Sequence, residues 1–225
     1  MEKIKADVVI AAKNEESRIR VVIKAAQQAK YTNRIIVVAN GCQDKTAEAA
    51  SVMGAETYIL EQANKGLAIL HGIKQVQTKI VCTLDADLLN ITSNQIDNLI
   101  QPLLSNTHVL SLAGFPSRRA RLIVKYPWLW EFSLTGQRAF AVELARELKI
   151  KRVNGYRFEA AMNLLAFKKR LPIYYMELTD LICTRREEKE FSTNRLNKWL
   201  SITHCYGQYC YGLPAVIGRI LVKQR

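Results

Sequence analysis

Four short apolar runs rich in β-branched residues alternate with amphipathic helical segments over roughly the first 90 residues of the chain. The runs cover residues 6–12, 34–39, 57–60 and 80–84, and the helical patterns cover residues 17–30, 44–53 and 65–76. Strands separated by helices pair in parallel through right-handed crossovers, because a tight hairpin cannot join parallel strands. The pattern predicts an α/β fold, a mostly parallel sheet flanked by helices on both faces.

Capping and turn residues stand near the expected ends of these helices. Ser17 or Asp44 is a candidate N-cap, since either side chain can accept a hydrogen bond from a backbone N–H group. Gly54 stands where the second helix should end, because glycine tolerates the left-handed conformation found there.

The length of 225 residues suits one substantial core, and no glycine- or proline-rich tract divides the chain. We expect one domain over residues 1–190, followed by a basic and aromatic C-terminal segment, residues 191–225, that is helical and either packs on the domain or lies at a membrane interface. The chain has 33 basic and 20 acidic residues, a net charge of +13. Such a surplus attracts polyanions, which include nucleotide phosphates, anionic lipid and nucleic acid.

Polar residues follow three of the predicted strands. Asn14 and Glu15 come after the first strand, Asn40 after the second, and Asp85 and Asp87 after the fourth. The carboxyl ends of parallel strands meet at one edge of a sheet, where ligands bind in such folds. Each residue also has a purely structural interpretation, as a turn former or a helix cap.

Asp85 and Asp87 form an acidic pair where a buried run ends. Alternation along an extended chain would turn both carboxylates to the same side. Two like charges so close need a neutralising cation, and carboxylate oxygens suit Mg²⁺ or Mn²⁺. Such an ion would stabilise a departing diphosphate. Capping of the following helix, predicted over residues 93–104, is the structural alternative.

Six segments of the sequence resemble motifs of family 2 glycosyltransferases. They occur in the family's order and extend over about 190 residues, fading after Lys189. The resemblance implies a GT-A fold and the transfer of a sugar, hexosyl in type, from a UDP- or GDP-sugar to an acceptor hydroxyl or phosphate, with inversion. The segments are VVIAAKNEE at 8–16, NGCQDKTA at 40–47, NKGLA at 64–68, LDADL at 84–88, TGQRAF at 135–140 and GYRFE at 155–159.

The resemblance also implies roles for individual residues. Glu159 would be the general base, and it stands near the start of a helix predicted over residues 154–170, where the helix dipole favours an ionised carboxylate. That electrostatic preference alone is the structural alternative for Glu159. Asp85 and Asp87 would hold Mg²⁺ or Mn²⁺ against the diphosphate. The nucleotide-sugar site would contain Ala11, Asn14, Glu15, Asn40, Lys65 and Asp85.

Two features depart from the family pattern. Many relatives carry an aspartate pair where this chain has Ala39 and Asn40, although an amide can still pair with a nucleobase edge. GT-A sites often add a late histidine as a metal ligand, but Thr184 stands in that region and His204 follows later. The sequence therefore leaves open the nucleobase of the donor and the third ligand of the metal ion.

The second half of the chain has two segments suited to an acceptor or a membrane. Residues 117–130 interleave arginines and a lysine with tryptophans and a tyrosine, as in an acceptor loop or an anionic membrane contact. Residues 199–218 carry no formal charge, but glycines, a proline and three tyrosines favour an interface over a membrane span. These segments favour a lipid-linked or saccharide acceptor. We expect no targeting signal and a cytoplasmic protein, peripheral on the inner face of the membrane in the interfacial case.

Three rival classes are weighed against the glycosyltransferase interpretation. A sugar nucleotidyltransferase would begin with a glycine-rich loop, which residues 11–15 lack. A basic protein that binds nucleic acid or membrane is suggested by charge alone, and we disfavour nucleic acid as a partner. A non-catalytic GT-A relative remains open because of Asn40. Five cysteines without CxxC spacing indicate unpaired thiols and no structural zinc site.

Overall fold

The structure is a computed structural model that describes residues 4–114, 135–148 and 157–178 of the chain. Its seven strands are β1 (Ala6–Ala12), β2 (Thr32–Asn40), β3 (Glu56–Leu60), β4 (Ile80–Asp85), β5 (Leu110–Gly114), β6 (Arg138–Ala141) and β7 (Ile173–Glu177). The helices of the described residues are α1 (Ile19–Gln28), α2 (Thr46–Val52), α3 (Lys65–Lys74), α4 (Ser93–Ser105), α5 (Val142–Arg146) and α6 (Arg157–Lys168).

The strands form one mixed sheet in the order β3-β2-β1-β4-β6-β5-β7. Strands β1 to β4 pair in parallel, and β5 pairs in parallel with β7. Strand β6 is antiparallel to both of its neighbours, β4 and β5. The α/β prediction of a mostly parallel sheet flanked by helices is confirmed. Because β6 runs the other way, its first residue lies beside the last residues of β4.

Helices cover both faces of the sheet. Successive residues of a strand point to opposite faces, and in the central strands both sets of side chains are apolar. Val8 and Ile10 pack in one buried cluster with residues of α1 and α4, while Val9 packs in a second cluster with residues of α3 and α6. Each fully buried aliphatic side chain stabilises the fold by about 1.5–3 kcal/mol. The two clusters hold the strand ends in fixed relative positions.

The helix ends follow local capping rules, with one prediction wrong. Helix α1 begins at Ile19 with Arg18 as N-cap, so Ser17 does not cap it. Asp44 precedes the N-cap of α2, Lys45, yet its Oδ1 accepts a hydrogen bond from the Thr46 N–H group at 3.1 Å.

Gly54 ends α2 as predicted, at a positive φ of 78°. The Gly54 N–H group donates to Ser51 O and the Ala55 N–H group donates to Ala50 O, the paired bonds of a left-handed helix terminus. Helices α3 and α4 have caps that the sequence analysis did not identify, Asn64 and Thr92.

Hydrogen bonds and ion pairs around the buried Asp7 lie at the amino edge of the sheet, opposite the expected ligand edge. The fully buried Asp7 carboxylate accepts hydrogen bonds from Asn33 Nδ2, Arg34 Nη2 and the Gln77 N–H group at 2.8–2.9 Å. Burial opposes ionisation of Asp7, but these donors together with the charge of Arg34 lower its pKa. Arg34 also forms an ion pair with Glu56.

Several predictions concern residues outside the described ranges. These are the 117–130 segment, the C-terminal segment 191–225, Thr184, His204 and three of the cysteines. The other two cysteines, Cys42 and Cys82, are unpaired thiols. Among the described residues no helix has the length and apolarity needed to cross a membrane.

Candidate active site at the carboxyl edge of the sheet

The loops after β1 and β2 interlock at the carboxyl edge. The Gln43 N–H group donates to Asn14 Oδ1 at 2.8 Å, and the Glu16 N–H group donates to Asp44 Oδ2 at 3.1 Å. Glu16 returns a bond by accepting from the Lys45 N–H group at 3.1 Å. Asn14 has a φ of 55°, a left-handed conformation that asparagine tolerates better than most residues. The two loops therefore form one rigid surface.

Glu15 is anchored inside this surface. Its N–H group donates to Thr46 Oγ1 at 2.8 Å, and its carboxylate pairs with Arg18 at 2.5 Å. Only 4% of Glu15 is exposed. Ala11 is half-buried in β1 and pairs with Asp85 across the sheet.

Asn40 ends β2 with a fixed side-chain orientation. Its Nδ2 donates to the carbonyl oxygen of Ala12 at 2.8 Å, so the amide oxygen points the other way. The next residue, Gly41, has a φ of 61°, and a Cβ there would lie 2.8 Å from Ala63. Glycine at position 41 thus allows the backbone after Asn40 to pass close to Ala63.

Lys65 joins two acidic residues from different parts of the chain. It is the first residue of α3, and its Nζ lies 2.7 Å from Asp85 Oδ1 and 2.9 Å from Glu159 Oε1. Asp85 is the last residue of β4, and Glu159 lies in the first turn of α6. One ammonium group therefore brings the carboxylate expected at the donor and the carboxylate expected to act as base into a single cluster.

The charges of this cluster stabilise one another. Burial disfavours the Lys65 ammonium, but the Asp85 and Glu159 carboxylates outweigh burial and raise the pKa of Lys65. Burial likewise disfavours the Asp85 carboxylate, but the charge and hydrogen bond of Lys65, followed by Gln137 and Arg138, lower the pKa of Asp85. Both groups are charged at neutral pH.

Glu159 is 2% exposed, and beyond its ion pair with Lys65 its Oε2 has no hydrogen-bond partner among the described residues. A buried carboxylate oxygen with spare acceptor capacity can receive a proton from a hydroxyl group. Its position in the first turn of α6 matches the sequence prediction, since the helix dipole favours negative charge there.

Two residues at the start of β6 complete the cluster, Gln137 just before the strand and Arg138 as its first residue, and the sequence analysis assigned neither a role. Gln137 Nε2 donates to Asp85 Oδ2 at 2.8 Å. The guanidinium group of the fully buried Arg138 donates to Thr135 O, to Glu159 O at 3.4 Å and to Asn163 Oδ1 at 3.3 Å. The sequence signal was the 135–140 motif itself, but only the antiparallel position of β6 explains it.

Asp87 lies beyond the strand, which corrects the geometric argument for the acidic pair. Strand β4 ends at Asp85, and Ala86 and Asp87 form a turn. Alternation along an extended chain therefore does not orient Asp87. Asp87 is half-buried, two residues from Asp85 at the same edge.

The donor set at this edge fits a hard divalent cation that the substrate helps to hold. Among the described residues no group of three histidine, cysteine, aspartate or glutamate side chains is arranged to bind a metal ion. Mg²⁺ needs fewer protein ligands, because it retains waters and binds through one or two carboxylates plus substrate phosphates. Asp85 and Asp87 supply hard oxygens of that kind.

An open polar pocket of about 470 Å³ lies at the interlocked loops. It is lined by Asn14, Glu16, Ser17, Arg20 and Asp44. Of the residues expected in the nucleotide site, Asn14 lines this pocket. Lys65, Asp85 and Glu159 meet in the separate charge cluster.

Comparison with known proteins identifies both a family and a fold. The model for glycosyl transferase family 2 matches residues 7–170. No curated protein matches the chain at a significant level.

Solved structures of glucosyl-3-phosphoglycerate synthase from Mycobacterium tuberculosis share the fold. The complex with Mn²⁺, UDP and phosphoglyceric acid has a TM-score of 0.76 at 23% identity, covering 94% of this chain and 80% of the synthase. The complex with Mg²⁺ and UDP has the same score and identity, with 94% and 81% covered. The complex with Mn²⁺, UDP-glucose and phosphoglyceric acid has a TM-score of 0.75 at 24% identity, with 94% and 81% covered.

Proposed function

Because the chain belongs to glycosyl transferase family 2, we propose that it transfers a sugar from a nucleoside diphosphate to an acceptor hydroxyl or phosphate at the carboxyl edge of its sheet. The observation that carries this proposal is the cluster in which Lys65 contacts both Asp85 and Glu159. A carboxylate for the donor and a carboxylate for the acceptor lie within reach of one ammonium group. Displacement at an anomeric carbon needs these two functions next to each other.

For the donor we propose a uridine diphosphate sugar, with a GDP-sugar as the alternative. The amide oxygen of Asn40 is an acceptor suited to a ring N–H group of the base, which uracil and guanine both carry. The solved synthase was crystallised with UDP and with UDP-glucose, which favours uracil. Ala11, Asn14, Glu15 and Asn40 would surround the nucleoside, and Lys65 and Asp85 would lie toward the diphosphate.

For the cofactor we propose Mg²⁺ or Mn²⁺, held by Asp87 and Asp85 together with the diphosphate. The ion would supply the positive charge that stabilises a departing diphosphate. Lys65 is poorly suited to that task, because two carboxylates of the protein already share its charge. The synthase complexes with Mn²⁺ and with Mg²⁺ support the same choice of ions.

For the chemical step we propose that Glu159 Oε2 accepts the proton of the acceptor hydroxyl. Lys65 Nζ lies against Glu159 Oε1, and the Arg138 guanidinium group donates to the Glu159 carbonyl oxygen in the first turn of α6. Deprotonation increases the nucleophilicity of the hydroxyl as it attacks the anomeric carbon. A single displacement of this kind inverts the anomeric centre.

The proposals for the acceptor and for the location of the protein name classes rather than single compounds or sites. A lipid-linked or saccharide acceptor fits the basic and aromatic sequence of residues 117–130 and the uncharged, tyrosine-containing sequence of residues 199–218. Peripheral contact with the inner face of the membrane fits the same two segments. The synthase was crystallised with phosphoglyceric acid and with glycerol 3-phosphate, so small phosphorylated hydroxyl compounds belong in the acceptor screen. Fractionation without detergent that leaves all of the protein soluble would count against membrane contact.

The experiment is a screen of UDP- and GDP-sugars with Mn²⁺, scored by thermal stabilisation and by donor hydrolysis. We expect stabilisation by one nucleotide class, lost in EDTA and in Asp87→Asn while the variant stays folded. Glu48→Gln is the control, because Glu48 is an exposed acid in α2. Unchanged binding in Asp87→Asn would remove the metal assignment. Salt-dependent retention on DNA without any nucleotide-sugar binding would instead support a nucleic-acid-binding protein.

A further inference from the structure

Asp85 lies in a space that exists only because residue 136 is glycine. Strand β6 is antiparallel to β4, and its first residue, Arg138, pairs with Thr83. Gly136, two residues before β6, therefore lies beside the end of β4. A Cβ built on Gly136 would lie 2.1 Å from Asp85 Oδ1 and 2.4 Å from its Cγ. Any other residue at 136 would therefore displace the Asp85 side chain or the strand.

Gln137 controls the other oxygen of the same carboxylate. Its Nε2 lies 2.8 Å from Asp85 Oδ2, and only 2% of Gln137 is exposed. An ionised carboxylate can only accept hydrogen bonds, so the amide must present its NH₂ group to Asp85.

Thr135 contacts the other end of the amide. Its hydroxyl group lies 2.5 Å from Gln137 Oε1, and the Gln137 N–H group donates back to Thr135 Oγ1 at 3.2 Å. The hydroxyl group of Thr135 has one proton and two acceptors at 2.5 Å, Gln137 Oε1 and Ala113 O. The orientation of the amide therefore rests on its bond to Asp85.

We propose that Gly136 and Gln137 are positioning residues that set the orientation of the Asp85 carboxylate for the donor. Gly136 provides the space, Gln137 holds Oδ2, and Lys65 holds Oδ1 from the opposite side. This inference rests on the proposed function, in which the donor contacts Asp85. A carboxylate with both oxygens fixed loses little further freedom when it binds a ligand, which favours affinity.

The test compares Gln137→Glu and Gln137→Met with the matched pair Gln95→Glu and Gln95→Met. Gln137→Glu replaces a donor by a like charge facing Asp85, whereas Gln137→Met removes the hydrogen bond at similar volume. Gln95 lies in the capping box of α4, where glutamate is accepted equally well. Gly136→Ala is a third variant, useful if it folds.

Two measurements are made on each folded variant. Calorimetry with UDP and Mn²⁺ gives the dissociation constant, and crystal structures without ligand give the torsion of Asp85. We expect the Gln137 variants to bind UDP and Mn²⁺ about 10- to 100-fold more weakly, the loss of a hydrogen bond to a charged group. We expect Asp85 to rotate in Gln137→Met, and both Gln95 variants to bind as the unmodified protein does.

The outcomes separate this proposal from the function on which it rests. Unchanged UDP binding in Gln137→Glu, or an unmoved Asp85 in Gln137→Met, overturns the positioning role. If the unmodified protein binds no nucleoside diphosphate although Asp85 rotates in Gln137→Met, the proposed function fails while the orientation of Asp85 by Gln137 stands.

Discussion

Lys65 Nζ lies 2.9 Å from Glu159 Oε1, although strands β4, β5 and β6 lie between the two residues in sequence. The Glu159 side chain is 3% exposed, and a buried carboxylate without a cation is costly to ionise. Lys65 supplies that cation, and the same ammonium contacts Asp85. The acid in the first turn of α6 therefore has the first residue of α3 as its ion-pair partner.

Glu159→Gln tests the base. The amide keeps the shape of the side chain but cannot take a proton, so we expect sugar transfer to fall by about 10²–10⁴-fold. UDP binding should change little, because the amide can still contact Lys65. Steady-state kinetics and calorimetry measure the two effects. Glu147→Gln, an exposed acid paired with Lys169, is the control. Transfer that persists in Glu159→Gln would assign the proton to another group.

Lys65→Met tests the shared cation. The change leaves the Glu159 and Asp85 carboxylates without a neutralising charge, and breaking such a buried pair costs about 3–5 kcal/mol. The partial exposure of Lys65 and Asp85, 27% and 26% of their side chains, places the expected loss at or below the lower end of that range. Urea unfolding at pH 7 with EDTA measures it. Lys65→Arg should recover part of the loss. Stability equal to that of the unmodified protein would show that the ion pairs contribute nothing net.

Gly41→Ala and Gly54→Ala test two glycines that share a left-handed backbone but differ in surroundings. Alanine in this conformation costs about 1–2 kcal/mol at either position. At Gly41 the new methyl group would also lie 2.8 Å from Ala63, whereas at Gly54 the nearest atom is a flexible Gln27 side chain at 3.9 Å. We expect Gly41→Ala to lose more unfolding free energy and to weaken UDP binding, since it follows Asn40. Equal losses in stability would contradict the steric argument.

Asp7→Asn and Glu56→Gln test the amino edge, where both acids pair with Arg34. Asp7 is fully buried, so we expect its variant to lose about 2–4 kcal/mol, whereas the 39% exposed Glu56 should lose less than about 1 kcal/mol. The folded pKa of Asp7 lies below its reference value of 3.8, so its stabilisation is present above that pH and disappears as the pH falls through the folded pKa. The free energies of unfolding of the unmodified protein and Asp7→Asn should therefore converge as the pH falls below 4. Urea unfolding from pH 7 to pH 2 measures this convergence, and a constant difference across that range would exclude the ionisation of Asp7 as its source.

The first four strands were predictable because they are contiguous and apolar. Strand β1 begins and ends where the sequence predicts. Strand β2 is longer than its prediction by two residues at its start and one at its end, and β3 and β4 are each longer by one residue. The later strands were not predicted. Strand β6 has four residues, one of which is the buried Arg138, so its pattern does not resemble a core strand. Its place depends on pairing with β4 and β5, which are distant in sequence.

For the candidate site, the resemblance implied which residues take part but not their contacts. Lys65, Asp85 and Glu159 were expected in one crevice, and they do meet. The sequence did not pair Lys65 with Glu159, nor did it assign Gln137 a partner. Asp87 was placed by strand alternation, which fails because β4 ends at Asp85.

The amino-acid sequence alone determined the α/β architecture, the edge at which the polar residues gather and the family. These properties depend on local periodicity and on short motifs, which are readable along the chain. Only the tertiary structure decided that one lysine bridges two acids and that a glycine and a glutamine enclose Asp85. Those contacts join residues 20 or more positions apart, and no local rule relates them, because burial and charge act through space between elements that the whole fold brings together.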